Sequence, residues 1–511
     1  MDELARLVIS LTKSEKRYFR MFAELQGGEK SYLKLFDAIE KAGDCDDDKL
    51  KVQFAKEDFV KRLPAVKNYL YTHILKSLRV IYSGETVDSQ LKEMIDDVAI
   101  LYDKRLYKQC SKILEKAKDL ATKNELILPL VEINIWQEKI LIEILNLDKF
   151  KEVLSTSGDE EMRLLDLQKN IAQYRNLYNR IILINKKIKE ARTAEELAQF
   201  QQIINDPLMK SVSKALCFDS RHYYYLTHLI YNHAKGDYKA SLVIAKEQLE
   251  LLEAYPDKVK EKPKTYISAL HNVLLCQIQL HDYQNFEQIL NKLRGFHVKS
   301  INTEVNRFVS SYIFEMVKYL DTGEFQKSIT IRTPILEGME KYKDKINPIE
   351  ETTLLYNLFY SYFGTGEFSK ALGIINKLIN EYQKELRQDI QSAVRILNLI
   401  LHYELRNTSL LEYNAVSTNR FLNKSNRLYK LETVVLNFIR KKMPDIFTKQ
   451  DQVKAFTELK KEFVELHEDP FEKKAFEYFD YISWADSKID GLSFEEVVNQ
   501  KFNEKKVPEK N

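Results

Sequence analysis

Along most of the chain apolar residues fall three and four positions apart, the spacing that lays one apolar stripe along a helix. The stretches "TTLLYNLFYSYF" (352–363) and "SKALGIINKLINEY" (369–382) both carry it, and a short turn, "GTGEF", separates them. Because the same arrangement of stripe, turn and stripe returns along the chain, the predicted elements are helical hairpins.

The turns share a pattern: a small or turn-forming residue, one spacer, an aromatic residue, and a small residue three positions later. "GDYKAS" places Gly236, Tyr238 and Ser241; "HDYQNF" places His281, Tyr283 and Phe286; "GEFQKS" places Gly323, Phe325 and Ser328; "GEFSKA" places Gly366, Phe368 and Ala371. Weaker copies put Tyr107 ("RLYKQC"), Phe150 ("DKFKEV"), Ala194 ("RTAEEL") and Ser409 ("NTSLLE") in the same frame, giving about eight units with a period near 43 residues. That period leaves about 18 to 20 residues for each helix, near 28 Å of length. Gly at the turn suits the left-handed backbone that ends a helix, the aromatic fills the space between paired helices, and the small residue lets them approach. Gly364 and Gly366 are therefore structural punctuation. A phosphate-cradling loop would instead follow a strand and open a helix.

Asn357, Leu358, Tyr362, Gly366, Phe368, Ala371, Ile375 and Leu378 occupy, in order, the characteristic positions of a tetratricopeptide repeat, which this unit resembles. The chain departs from that family in period, since the family repeats every 34 residues. As a whole it is also similar to tetratricopeptide-like proteins of Bacteroidota. The resemblance implies an all-α, right-handed superhelix (an α-solenoid) whose first helices line a concave groove for a protein or peptide. The ligand-facing position of those first helices holds Asn272, Asn357 and Asn398 here, and an amide offers a donor and an acceptor to an extended backbone.

Residues 1–90 fall outside the frame and read as a helical cap. Thr12 and Glu15 form a capping box that opens "SEKRYFRMFAELQ", Gly27 and Gly28 close it, a second helix ends at Gly43, and a third runs from near Pro64 to Gly84. Between Lys56 and Tyr82 six basic residues face two acidic ones. Lys67, Lys76 and Arg79 are the cations a helix-turn-helix reader would turn to DNA. Residues 91–445 carry the repeats, 446–500 a C-terminal helical cap, and 501–511 a disordered tail. The densest positive segment, 420–442, places Arg420, Lys424 and Arg427 on one helix face. With Lys430 they form a patch for an acidic peptide, carboxylate or phosphate.

Composition narrows the function classes. In 511 residues, Gly (13) and Pro (10) are scarce, which disfavours turn-dense β folds. Lys and Arg (79) nearly cancel Asp and Glu (76), so no global field draws in nucleic acid or an anionic membrane. The four cysteines, far apart and without a CxxC pair, read as reduced, buried thiols. No apolar run spans a membrane and no secretory signal opens the chain, so a cytoplasmic setting is expected. "DCDDDKL" and "DSKIDGLSFEEV" begin like calcium loops but lack later ligands, and read as caps and turns. His222, His228 and His233 do not share a helix face, and no HExxH, GxSxG or Walker A motif is present. The expected protein has no catalytic residues, cofactor or metal. It is a binding scaffold, with a transcription regulator that reads DNA through residues 1–90 as the alternative.

Overall fold

A computed structural model describes residues 2–25, 31–144, 147–188, 194–298, 300–343, 345–382, 388–425, 428–469 and 472–506. Among them the regular elements are all helices. Two compact units emerge, one of Met1–Arg175 with Ser213–Arg221, the other of Asn176–Val212 with His222–Asn511.

In the first unit, helices Glu3–Ser10, Lys13–Leu25, Ser31–Ala42, Asp47–Gln53 and Leu63–Ile81 enclose a small core of Phe19, Leu35, Phe36, Ile39, Leu70 and Ile74. The capping box at Thr12 and Glu15 is present, with both backbone N–H groups bonded to the opposite side chain. Gly43 and Gly84 stand at φ +67° and +68°, as a left-handed helix stop requires. Gly27 and Gly28 lie outside the described residues. Two further helices were not expected: Glu3–Ser10, and Asp47–Gln53, whose N-terminus Asp46 caps by accepting from the Asp48 and Lys49 amides. The acidic run is thus a cap. Hairpin Val87–Asp103/Tyr107–Lys123 and helix Ile127–Ile144 follow.

The repeat frame is visible in one backbone device. Arg105, Gly236, His281, Gly323, Gly366 and Arg406 all have positive φ, between 52° and 77°. Each donates its amide to the carbonyl three residues back, and its successor donates to the carbonyl five back, as in Gly366 to Phe363 (3.0 Å) and Glu367 to Tyr362 (2.9 Å). This pair of bonds closes a helix and turns the chain. It recurs at Glu125, between hairpins. The position five residues beyond the left-handed one is fully or almost fully buried in every copy: Cys110, Ser241, Phe286, Ser328, Ala371 and Leu411. The copy expected at Ser409 falls one residue earlier, at Thr408.

Two copies differ from expectation. A single helix, Leu147–Lys187, runs through the stretch where Phe150 was to open a second helix, turn, and begin another first helix. Its only glycine, Gly158, keeps ordinary helical φ. The copy at Ala194 opens a short helix, Ala194–Ile204, and two 3-10 turns, Pro207–Lys210 and Val212–Lys214, separate it from the next α-helix, Phe218–Lys235.

In the second unit successive helices pack on one another from Pro263–Gln279 onward. Pro263–Gln279 lies against Phe286–Gly295 and Ile301–Asp321. Ile301–Asp321 lies against Pro348–Gly364, then Phe368–Glu381, Gln388–Glu404 and Thr408–Lys424 follow in turn. Phe325 inserts at Gly364, where even a Cβ would come within 2.1 Å of its ring, and Ser328 and Ser361 join their hydroxyls at 2.6 Å. The last described helix, Phe494–Lys506, makes residues 501–506 helical; 507–511 lie outside the described residues.

Candidate functional site

The exposed edge of a first helix is clearest on Pro263–Gln279, where Ser268, Leu275 and Gln279 face solvent along one side. Asn272 sits half-buried among them, its Nδ2 3.4 Å from Gln248 Oε1. The equivalent face of Pro348–Gly364 is different, because the chain's own C-terminal segment covers it. The Tyr356 hydroxyl donates to the carbonyl of Tyr478, and the Tyr360 hydroxyl accepts from the amide of Asp480 at 3.1 Å. Residues 479 and 480 have no helical structure there, so two phenols one helical turn apart hold a non-helical backbone through its own polar groups.

Aromatic packing fixes this roof. Phe479 meets Phe363 edge-on at 4.9 Å and stacks on Phe494 at 5.6 Å, while Phe494 also reaches Phe325 and Tyr360. Helix Tyr481–Asp490 is tied to helix Gln388–Glu404 by Glu404, which accepts from Trp484 Nε1 (2.6 Å) and pairs with Lys488 (2.7 Å). Asn499 donates to the Thr322 carbonyl at 3.1 Å. Asp486, nearly buried, pairs with Lys460 and Lys501 at 2.7 Å each. Burial alone would raise its pKa, but the two ammonium groups outweigh that and hold it below the usual carboxylate range.

The three asparagines therefore part company. Asn272 keeps access to solvent, whereas Asn357 and Asn398 are 7% and 8% exposed. Asn357 Nδ2 and Asn398 Oδ1 are buried without a hydrogen-bond partner. An asparagine does clasp backbone elsewhere, at the end of a 3-10 turn: Asn170 donates to the Lys214 carbonyl (3.0 Å) and accepts from the Leu216 amide (3.1 Å). The sequence alone did not point to Tyr356 and Tyr360 or to the backbone they hold. The available signal was the aromatic density of Phe476, Tyr478, Phe479, Tyr481 and Trp484, more than a solvent-facing cap would carry.

The positive segment is not one face. Its helix ends at Lys424, and the next begins at Lys430. Arg420 and Lys424 are exposed, Arg427 lies outside the described residues, and Lys430 pairs with Asp469 at 3.0 Å. In the N-terminal module Lys67 is bound by Asp2, Asp47 and the Cys45 carbonyl, its side chain only 14% exposed. Lys76 and Arg79 remain on the surface. The expected DNA-reading trio thus loses Lys67, because the acids that open the chain and the acidic cap neutralise it.

All four cysteines are buried, free thiols. His228 Nε2 faces the Met209 carbonyl at 3.1 Å and His233 Nε2 faces Cys276 Sγ at 3.5 Å, so the histidines point to separate partners. Among the described residues no group of three or more His, Cys, Asp or Glu is placed to hold a metal ion, and no helix is long and apolar enough to cross a membrane. Compared with protein-family models, curated proteins and solved structures, the chain matches none.

Proposed function

We propose that this protein is a non-catalytic protein- or peptide-binding scaffold, built of tetratricopeptide-like hairpins stacked into a right-handed superhelix. One observation carries the reading: the same left-handed turn, closed by the same two hydrogen bonds, recurs at near-constant spacing from Gly236 through His281, Gly323 and Gly366 to Arg406, with a further copy at Arg105. A hairpin repeated this way cannot cover its own apolar face, so neighbours bury it for one another and leave first-helix edges for a ligand. The edge formed by Ser268, Asn272, Leu275 and Gln279 is the docking surface in this reading. Leu275 supplies apolar contact and the Asn272 amide pairs with partner backbone.

Affinity capture from the native organism, comparing wild type with Asn272→Ala/Leu275→Asp, tests it. A partner retained by wild type and weakened about tenfold or more in the variant is expected, a loss of about 1.4 kcal/mol. An unchanged partner list removes the assignment. Duplex binding with a steep salt dependence, lost on replacing Lys76 and Arg79, would favour a DNA reader instead.

A further inference from the structure

The roof over helix Pro348–Gly364 does not fill the space beneath it. A cavity of about 320 Å³ remains, with Tyr356, Asn357 and Tyr360 on its floor, Asp321 at its wall, and Asp480 and Lys501 in its roof. That lies at the small end of ligand sites, and corresponds to roughly ten water molecules' share of liquid volume.

Three features say what would fill it. First, Asn357 is 93% shielded from solvent and its Nδ2 has no partner. A buried amide N–H without a partner is costly, so it calls for an acceptor. Second, Tyr360 accepts from the Asp480 amide, which leaves its own hydrogen to donate. Burial, reinforced by the Asp480 carboxylate, raises its pKa and keeps that hydrogen in place. Lys501 adds a third donor, since Ser483 (2.9 Å) and Asp486 (2.7 Å) engage two of its three N–H bonds. Third, the carboxylates of Asp321 and Asp480 share the cavity with the rings of Tyr356 and Phe479; Asp321 already accepts from Tyr283 and lies 2.6 Å from His281 Nδ1, and Asp480 accepts from the Ser483 amide and hydroxyl, yet their remaining lone pairs and charge favour an ammonium group. A plain anion would meet two carboxylates, and a plain cation would leave the Asn357 and Tyr360 donors unmet.

We propose that the cavity between Asn357 and the C-terminal roof binds a small zwitterion of the α-amino acid class. The ligand's ammonium lies toward Asp321 and Asp480, and its carboxylate toward Asn357, Tyr360 and Lys501. The site is independent of the scaffold reading: it uses roofed residues, whereas the docking edge at Asn272 is open.

Thermal melting and calorimetric titration of the full chain with each free proteinogenic L-amino acid at millimolar concentration test it, alongside the matching decarboxylated amines and N-acetylated acids. At least one amino acid should raise Tm in a dose-dependent way. Both of its blocked counterparts should bind at least about tenfold more weakly. Asn357→Leu, and the milder Asn357→Ala should the larger change disturb folding, should weaken binding to a similar degree. The proposal falls if no amino acid shifts Tm or gives heat, if binding survives unchanged in both variants, or if a blocked counterpart binds as well. It falls too if Asn357→Leu merely raises Tm without any ligand effect, since the cavity would then be a pocket of structural water.

Discussion

Gly364 and Gly366 stand two residues apart and do different work. Gly366 holds φ +77° with nothing within 4 Å of where a Cβ would be, so its replacement meets backbone strain alone. An L residue in that conformation costs about 1–2 kcal/mol. Gly364 is ordinary helix, yet a Cβ there would strike the fully buried Phe325 ring. Overpacking of that kind costs about 1–3 kcal/mol or more. Chemical denaturation of Gly364→Ala and Gly366→Ala should therefore show the former as the more destabilised; little or no loss in Gly364→Ala would mean that Phe325 moves aside freely. The contrast also marks what was legible. Gly366 declares itself by recurrence in the turn frame, whereas the role of Gly364 depends on an aromatic from the preceding hairpin. Asn357 belongs with Gly364: its place on a first helix was readable, but not the segment, more than a hundred residues later, that closes over it.

At the scale of elements, strong turns were readable and weak ones were not. Arg105, His281 and Arg406 adopt the left-handed turn without glycine, and in the first two of these an aromatic two residues on gave the copy away. The frame failed at 147–187, where spacing alone suggested a turn. Residues 159–187 there are rich in helix-favouring Glu, Leu, Gln, Arg and Lys, and nothing in them stops a helix. The C-terminal segment was the other surprise, because a cap was expected and a roof is present. Phe479, Tyr481 and Trp484 are each about 1% exposed and Phe494 only 6%. At about 1.5–3 kcal/mol for each large apolar side chain, their burial contributes on the order of several kcal/mol. The segment is thus part of the core, not a displaceable strap. Ending the chain after Asp469 should lower Tm sharply and raise binding of an apolar dye as Phe363, Tyr360 and Phe325 are uncovered. A truncated chain that melts like the full one would show the roof to be energetically idle.

For the molecule as a whole, acid sensitivity should differ between the two units, because histidine is unevenly shared. His73 is the sole histidine of the first unit, while His228, His233, His271 and His402 belong to the second. Burial lowers the pKa of all five, and that of His271 falls to about 4. As pH drops below about 6.5, the unfolded chain takes up protons that the folded chain refuses, so stability is full above 6.5 and is lost on the way down. For His271 alone the loss between 6.5 and about 4 is at most on the order of 3 kcal/mol. Asp486 and the other carboxylates with lowered pKa add their own loss only at lower pH, as they protonate. The chain carries two tryptophans, Trp136 in the first unit and Trp484 in the second, so fluorescence of Trp136→Phe and Trp484→Phe variants reads each unit separately. Between neutral pH and about 5 the urea midpoint reported by Trp484 should fall more steeply than that reported by Trp136, and His271→Gln should flatten the steeper curve. Parallel curves would mean that the rings of the second unit accept protons in place, and that its interior is wetter than their burial indicates.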